Sequence, residues 1–267
     1  MNIKAYLERI NYHGPLSPTA ETLRALQVAH LLTVPFENLS IHAGQPIVLE
    51  DDALFTKIVE KRRGGFCYEA NGLFAVLLRA LGFNVAMLSA EVANAEGEFG
   101  PNFDHMALMV SLPVSSLVSP LLSSAQRWLV DVGFGDSFLE PLLLDERGDQ
   151  VQHSRAYRIL SDGTRLLLMR RDEGHEWKAQ YRFTLQTYSY ADYADMCRYH
   201  QTSPQSHFTR SRICSRATEE GRITLSEMRF ITTSQSGVHE VRQERTLTSE
   251  AEYATILRDQ FGIVMTN

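Results

Sequence analysis

Apolar residues recur at helical spacing early in the chain and again at its end, with a period-two pattern between. MNIKAYLERINYHG reads as a short amphipathic helix. Leu23, Leu26 and His30 form a second stripe, with Ser17-Pro18 as N-cap and first residue and Pro35 closing it. Asp51 and Asp52 are positioned to cap a third helix carrying Leu54, Phe55, Ile58 and Val59. A fourth opens near Cys67, continues through Leu73, Leu77 and Ala80, and stops at Gly82, which suits a left-handed residue just past a helix end. From Phe83 the period changes. Phe83–Val92, His105–Leu112, Arg127–Val132, Thr164–Met169 and Tyr181–Thr187 read as strands. Turn sequences separate them at Asn94–Gly100, Glu146-Arg147-Gly148, Ser161-Asp162-Gly163 and Glu173-Gly174. No helices connect these runs, so the pattern predicts an antiparallel sheet or barrel rather than βαβ units. Met196–Arg212 is mixed and aromatic-polar and reads as irregular. Arg222–Thr232 and Val238–Leu247 are two further strands. Ser249-Glu250-Ala251-Glu252 is a capping box for a last helix ending at Phe261, before Gly262. The expected fold class is α+β, in three parts: a helical bundle over 1–82, a β-barrel over 83–190 and an α/β segment over 191–267.

Composition narrows the function classes. The 267 residues are 44% apolar and 22% charged, ordinary for a globular protein with a full core. A net charge of −6 argues against general nucleic-acid affinity. Three cysteines imply no disulfide framework and favour a reducing compartment. The N-terminus lacks a secretory apolar core, and no run approaches the ~18 apolar residues of a membrane span. The expectation is a soluble cytoplasmic protein that binds neither nucleic acid nor membrane.

The candidate chemistry begins at RRGGFCYEANGLF, residues 62–74. Cys67 follows two glycines and opens a helix, where unpaired N–H groups and the helix dipole favour a thiolate. Gly64-Gly65 would let the backbone turn sharply and approach a substrate, with Cys67 facing outward from the bend. The alternative is a small buried hydrophobe at a helix start. A nucleophilic cysteine needs a base, and the base an orienting group. His105 opens the apolar strand HMALMV; alternatively it is a strand-end histidine bonded to backbone. Asp131 interrupts the apolar run in RWLVDVGFGD, where a lone carboxylate is costly unless paired; alternatively it caps the turn. The order Cys67, His105, Asp131 on helix followed by sheet fits a papain-like or transglutaminase-like core, and a thiol hydrolase or crosslinking enzyme would use the same set. Cys197, His200, His207 and Cys214 supply four possible zinc ligands, but not at zinc-finger spacing, so no metal is expected.

A narrower match exists. RRGGFCYEANGLF, PFENLSIH (35–42), HMALMV, VDVGFG (130–135) and SPQSHF (203–208) stand in the order found in arylamine N-acetyltransferases, and the chain resembles that family, of bacterial type, over nearly its whole length. The resemblance implies a helical bundle, a β-barrel and an α/β lid, with the cleft between the first two. It implies ping-pong transfer in which acetyl-CoA, a co-substrate, acetylates Cys67 and CoA leaves. An arylamine, arylhydrazine or N-hydroxyarylamine then takes the acetyl group. His105 would be the base and Asp131 its orienting group, with the Cys67 N–H a candidate oxyanion donor. Phe134 and Gly135 would lie beside the acceptor pocket and Phe208 would close it. Arg63 and Glu37 would form a supporting ion pair, while Glu69 and Asn71 receive no catalytic role. Four departures stand out. Ser111–Gln126 is longer than in compact bacterial members and is expected to form a hairpin extension near the CoA entrance. Asp104 stands where a Thr or Ser often precedes the histidine, and either raises the pKa of His105 or faces solvent. Asp136 replaces a small neutral residue. The sequence ends at Asn267, where many bacterial members continue into a further helix near the cleft, implying a more open entrance.

Overall fold

The computed structural model describes residues 1–112, 125–236 and 239–265. The first stretch folds into α1 (Ile3–Arg9), α2 (Ala20–Thr33), β1 (Phe36–Glu37), α3 (Leu39–His42), α4 (Asp51–Phe55), a π-helical turn over Thr56–Glu60, and α5 (Cys67–Ala80). Two helix starts differ from the sequence expectation. Thr19, in extended backbone, caps α2 by accepting from Thr22 N at 3.2 Å, so Ser17 and Pro18 lie outside the helix. Glu50 precedes α4 without a side-chain cap, and Asp51 and Asp52 sit in its first turn, facing the positive end of the dipole. Helix α5 ends as expected at Leu81, with Gly82 at φ +90°. It holds together because Ala70, Leu73, Phe74, Leu77 and Leu78 are all buried at helical spacing.

Eight antiparallel strands follow: β2 (Asn84–Val92), β3 (His105–Leu112), β4 (Gln126–Val130), β5 (Leu142–Leu143), β6 (Gln150–Gln152), β7 (Arg155–Asp162), β8 (Arg165–Asp172) and β9 (Lys178–Tyr188). Their spatial order is β5-β4-β3-β2-β9-β8-β7-β6, a sheet curled into a nearly closed barrel. Two glutamine side chains bridge its edge strands. Gln150 exchanges hydrogen bonds with both backbone groups of Leu143, and Gln152 accepts from Leu139 N and Glu140 N and donates to Glu140 O. These amides take the place of a backbone ladder and satisfy groups that an open edge would expose. Residues 113–124 of the expected hairpin extension lie outside the described residues; at its flanks Ser111 pairs with Arg127 and Leu112 with Gln126.

Alternation along β3 separates two cores. Met106, Leu108 and Val110 pack toward the helices with Phe66, Leu73 and Leu77. Ala107 faces the barrel interior with Leu88, Leu129, Tyr157, Leu168 and Tyr181. His105 shares the parity of Ala107, so it projects at the strand end toward the interior side.

The remaining elements are α6 (Ala194–Thr202), α7 (His207–Arg210), β10 (Ile213–Thr218), β11 (Gly221–Ser226), β12 (Arg229–Ser236), β13 (His239–Thr246) and α8 (Glu250–Phe261). Met196–Arg212 is thus largely helical rather than irregular, and Arg222–Thr232 is two strands, not one. The chain reverses between Ser226 and Arg229, with Glu227 at φ +49°, at a turn with no glycine, asparagine or proline to mark it. The second sheet runs β1-β10-β11-β12-β13, so its edge strand comes from the N-terminal stretch. A third core of Leu39, Cys214, Leu225, Leu257 and Phe261 joins this sheet to α8. Among the described residues, no helix is long and apolar enough to cross a membrane.

Candidate active site

Cys67 is the first residue of α5. Phe66 precedes it and has no side-chain oxygen to cap the helix; Glu69, three residues on, accepts from the Phe66 N–H at 3.2 Å instead. Lys57, presented by the π-helical turn, donates to Glu69 at 2.7 Å. The two glycines allow close contacts on both sides of the loop. An added Cβ at Gly64 would stand 1.9 Å from Pro35 O, and one at Gly65 would stand 2.6 Å from Glu69 Cβ. They allow the loop to pair with the Pro35–Glu37 backbone, through Glu37 N to Gly65 O at 3.1 Å. Arg63 locks the same contact by donating to buried Glu37, with a closest N–O approach of 2.7 Å. Burial pushes Glu37 up, but the charges of Lys57 and Arg63 outweigh it and hold the carboxyl below its ordinary value.

His105 and Asp131 meet at the ends of β3 and β4. His105 Nε2 lies 2.7 Å from Asp131 Oδ2, and both residues are buried. Asp131 accepts three further bonds: Asn71 Nδ2 at 2.9 Å and Gly133 N at 2.9 Å on Oδ1, and the Tyr181 hydroxyl at 3.1 Å on Oδ2. Burial raises its pKa, but His105, Asn71 and Gly133 prevail, and the carboxyl stays below its ordinary value.

Asn71 joins the helix that carries the thiol to this pair. It lies one turn beyond Cys67 on α5, donates also to Met106 O at 2.6 Å and accepts from Val132 N at 2.9 Å. Gly133 closes the other side. A Cβ there would stand 2.6 Å from Cys67 Cα and 2.7 Å from Asn71 Nδ2, so only glycine lets the turn after β4 touch the helix start. Cys67 does not face outward as its sequence setting suggests: it is 3% exposed. Nor does the helix start lower its pKa. Burial pushes the thiol well up, and the negative charges of Asp131 and Asp104 add to that, against one Met106 N–H directed at the sulfur.

The sequence model of the N-acetyltransferase family matches residues 19–267. Arylamine N-acetyltransferase of Escherichia coli is 34% identical over 97% of this chain and 87% of its own length. A Salmonella typhimurium protein, arylamine N-acetyltransferase / N-hydroxyarylamine O-acetyltransferase, is 33% identical over 98% and 88%. The solved structure of Mycobacterium marinum arylamine N-acetyltransferase in complex with CoA superposes with a TM-score of 0.84 at 32% identity, covering 98% of this chain and 93% of that one. The chain belongs to the arylamine N-acetyltransferase family.

An aromatic group surrounds the histidine. Phe134 stands edge-on to the His105 ring at 5.1 Å, and Tyr181 lies 5.1 Å from both rings. Phe134 and Gly135 line a cavity of about 440 Å³ with Phe36 and Arg222, and a second of about 160 Å³ that reaches Asp131. Gly135 has φ +91°, and its open face is turned to the Phe36 ring. Phe208 is buried edge-on against Phe66 at 5.6 Å and lies 6.1 Å from Phe36. Asp136 is taken up by three arginines: Arg155 at 2.6 Å, Arg170 at 3.1 Å and Arg222 at 3.1 Å. Asp104 contacts His200 at 3.2 Å rather than facing solvent. Of the four possible zinc ligands, Cys197 belongs to the core under α5 and Cys214 to the core under α8.

Sequence reasoning passed over Gly133, Tyr181 and the bonding role of Asn71. Asn71 and Gly133 lie inside the quoted RRGGFCYEANGLF and VDVGFG blocks. Tyr181 carried no local signal beyond a strand position.

Proposed function

We propose that the enzyme transfers the acetyl group of acetyl-CoA to an arylamine, arylhydrazine or N-hydroxyarylamine through a thioester on Cys67. The observation that carries this reading is the buried His105–Asp131 pair, linked through Asn71 to the start of the helix that bears the cysteine. With Nε2 committed to Asp131, His105 Nδ1 takes the Cys67 proton as the sulfur attacks the acetyl carbonyl. Asp131 offsets the charge that appears on the imidazole and is fixed for that task by its other three bonds. The C–S bond to CoA then breaks, and the CoA sulfur leaves with the proton from His105. In the second half-reaction the amine attacks the thioester and gives its proton to His105. The Cys67 thiolate departs and is reprotonated. The Cys67 backbone N–H, at the helix start, is positioned as one donor to the oxyanion in both halves.

Phe134 supplies a flat face for the acceptor ring, Gly135 leaves space, and Phe208 closes the pocket, with Arg63 and Glu37 as supports. The CoA complex of the M. marinum relative supports acetyl-CoA as donor, and the second activity in the Salmonella relative's name supports N-hydroxyarylamine acceptors. Three free, buried cysteines support a cytoplasmic location. Residues 1–82, 83–190 and 191–267 are the working domains in this reading. Cys67→Ala removes the acyl acceptor and a single side-chain sulfur, so it abolishes turnover and leaves the urea midpoint nearly unchanged. Turnover that persists in Cys67→Ala contradicts the assignment.

A further inference from the structure

His200 has no part in the acyl-transfer scheme, yet it is 2% exposed and sits between the two halves of the site. From α6 its Nδ1 lies 3.1 Å from Ser206 Oγ, and its Nε2 lies 3.2 Å from Asp104 Oδ1. Asp104 immediately precedes His105. Ser206 caps α7 and accepts from Phe208 N at 3.2 Å. The His200 ring stands edge-on to Phe208 at 5.1 Å and stacks on Tyr68 at 6.1 Å. Phe208 in turn packs on Phe66, the residue before Cys67. A continuous chain therefore runs from the neighbour of His105 to the neighbour of Cys67.

The histidine end of this chain is held under strain. Phe103 has φ +65°, a left-handed conformation that a bulky residue seldom adopts. It is kept there by Ser89 Oγ, which accepts from Phe103 N at 2.7 Å, and by the Tyr68 hydroxyl, which donates to Phe103 O at 2.6 Å. Gly100 leaves the room that Asp104 occupies: a Cβ there would stand 2.6 Å from Asp104 Oδ2. The His200 Nε2 contact with Asp104 is short but off the hydrogen-bonding axis.

We propose that His200 is a positioning residue that latches α6–α7, and with it Phe208, to the His105 loop through Asp104, and so holds the acceptor pocket closed over Cys67. The proposal rests on the roles given above to Cys67 and Phe208, but its test does not need acyl transfer. The rate of Cys67 alkylation by iodoacetamide reports access to the thiol directly. Asp104→Asn and His200→Phe each raise that rate about tenfold, and the double variant raises it no further, as expected for two ends of one contact. In the transfer assay both variants raise KM for the aromatic amine and leave kcat within about twofold. His200→Phe preserves ring packing on Tyr68 and Phe208, so alkylation at the wild-type rate in that variant would mean packing alone matters and overturns the latch. Effects of the two substitutions that multiply overturn it as well. Should His200→Phe fail to fold, Ser206→Ala breaks the same chain at its other end and is expected to match Asp104→Asn. Alkylation that responds as expected in a protein that transfers no acetyl group supports the latch and overturns the enzyme reading.

Discussion

At the scale of single residues, the site depends on how completely one buried carboxylate is paired. Asp131 takes bonds from His105, Asn71, Gly133 and Tyr181, supplied by α5, β3, β9 and its own turn. A charge left unpaired there would cost several kcal/mol. The sequence exposed Cys67, His105 and Asp131 because each breaks a local expectation: a thiol after two glycines, a histidine opening an apolar strand, a carboxylate inside one. Asn71 and Gly133 break none. Their roles depend on contacts between residues about sixty positions apart, which local pattern does not carry. Gly133→Ala tests this reading of the turn. The added methyl would stand 2.6 Å from Cys67 Cα, so the helix start or the turn must move. A misplacement of about 1 Å there lowers kcat/KM about a hundredfold. Steady-state kinetics with an aromatic amine checks it, and wild-type activity would show that the contact tolerates a side chain.

At the scale of elements, legibility followed burial contrast. Helix α5 and strands β2 and β3 have large apolar residues at a clear period and were readable within a residue or two. Strand β10 buries only Cys214, Ser215 and Ala217, so its hydrophobic signal is weak. Strand β7 buries adjacent Ala156 and Tyr157, which breaks strict alternation. Helix α2 shows how a polar residue can hide within an apolar stripe. His30 lies with Leu23 and Leu26, accepts or donates at 2.9 Å with the Tyr6 hydroxyl, and meets Phe74 edge-on at 5.2 Å. Burial, followed by the nearby Arg9 charge, lowers its pKa from 6.5 to about 3. The unfolded chain therefore takes up this proton before the folded one does. The stability it provides is complete above the unfolded value and is lost as pH falls from about 6.5 toward about 3. His30→Leu should flatten the fall in unfolding free energy across that window by up to about 1.4 kcal/mol per pH unit. Urea titrations at a series of pH values measure the slope, and an unchanged slope would place the titration elsewhere.

At the scale of the whole molecule, the barrel and the second sheet are fastened at the edge of the site. Arg155 and Arg170 reach Asp136 from the barrel and Arg222 reaches it from the second sheet. Burial opposes ionisation, but these charges, Arg222 foremost, hold the carboxyl well below the usual range. Asp136 looked in the sequence like a departure without a purpose because its partners come from three distant strands. The order of helices, barrel and α/β segment was readable from the change of period. The contribution of Phe36–Glu37 to the second sheet was not, since a two-residue strand has no period. These long-range fastenings bring the helix start, the barrel end and Phe208 to one place, where the proposed reaction has Cys67 accept the acetyl group. Intact-protein mass spectrometry after mixing with acetyl-CoA, without acceptor, tests it most directly. One acetyl group is expected, mapped to Cys67 and lost on adding an arylamine. A folded protein with no adduct, or with one on another residue, would contradict it.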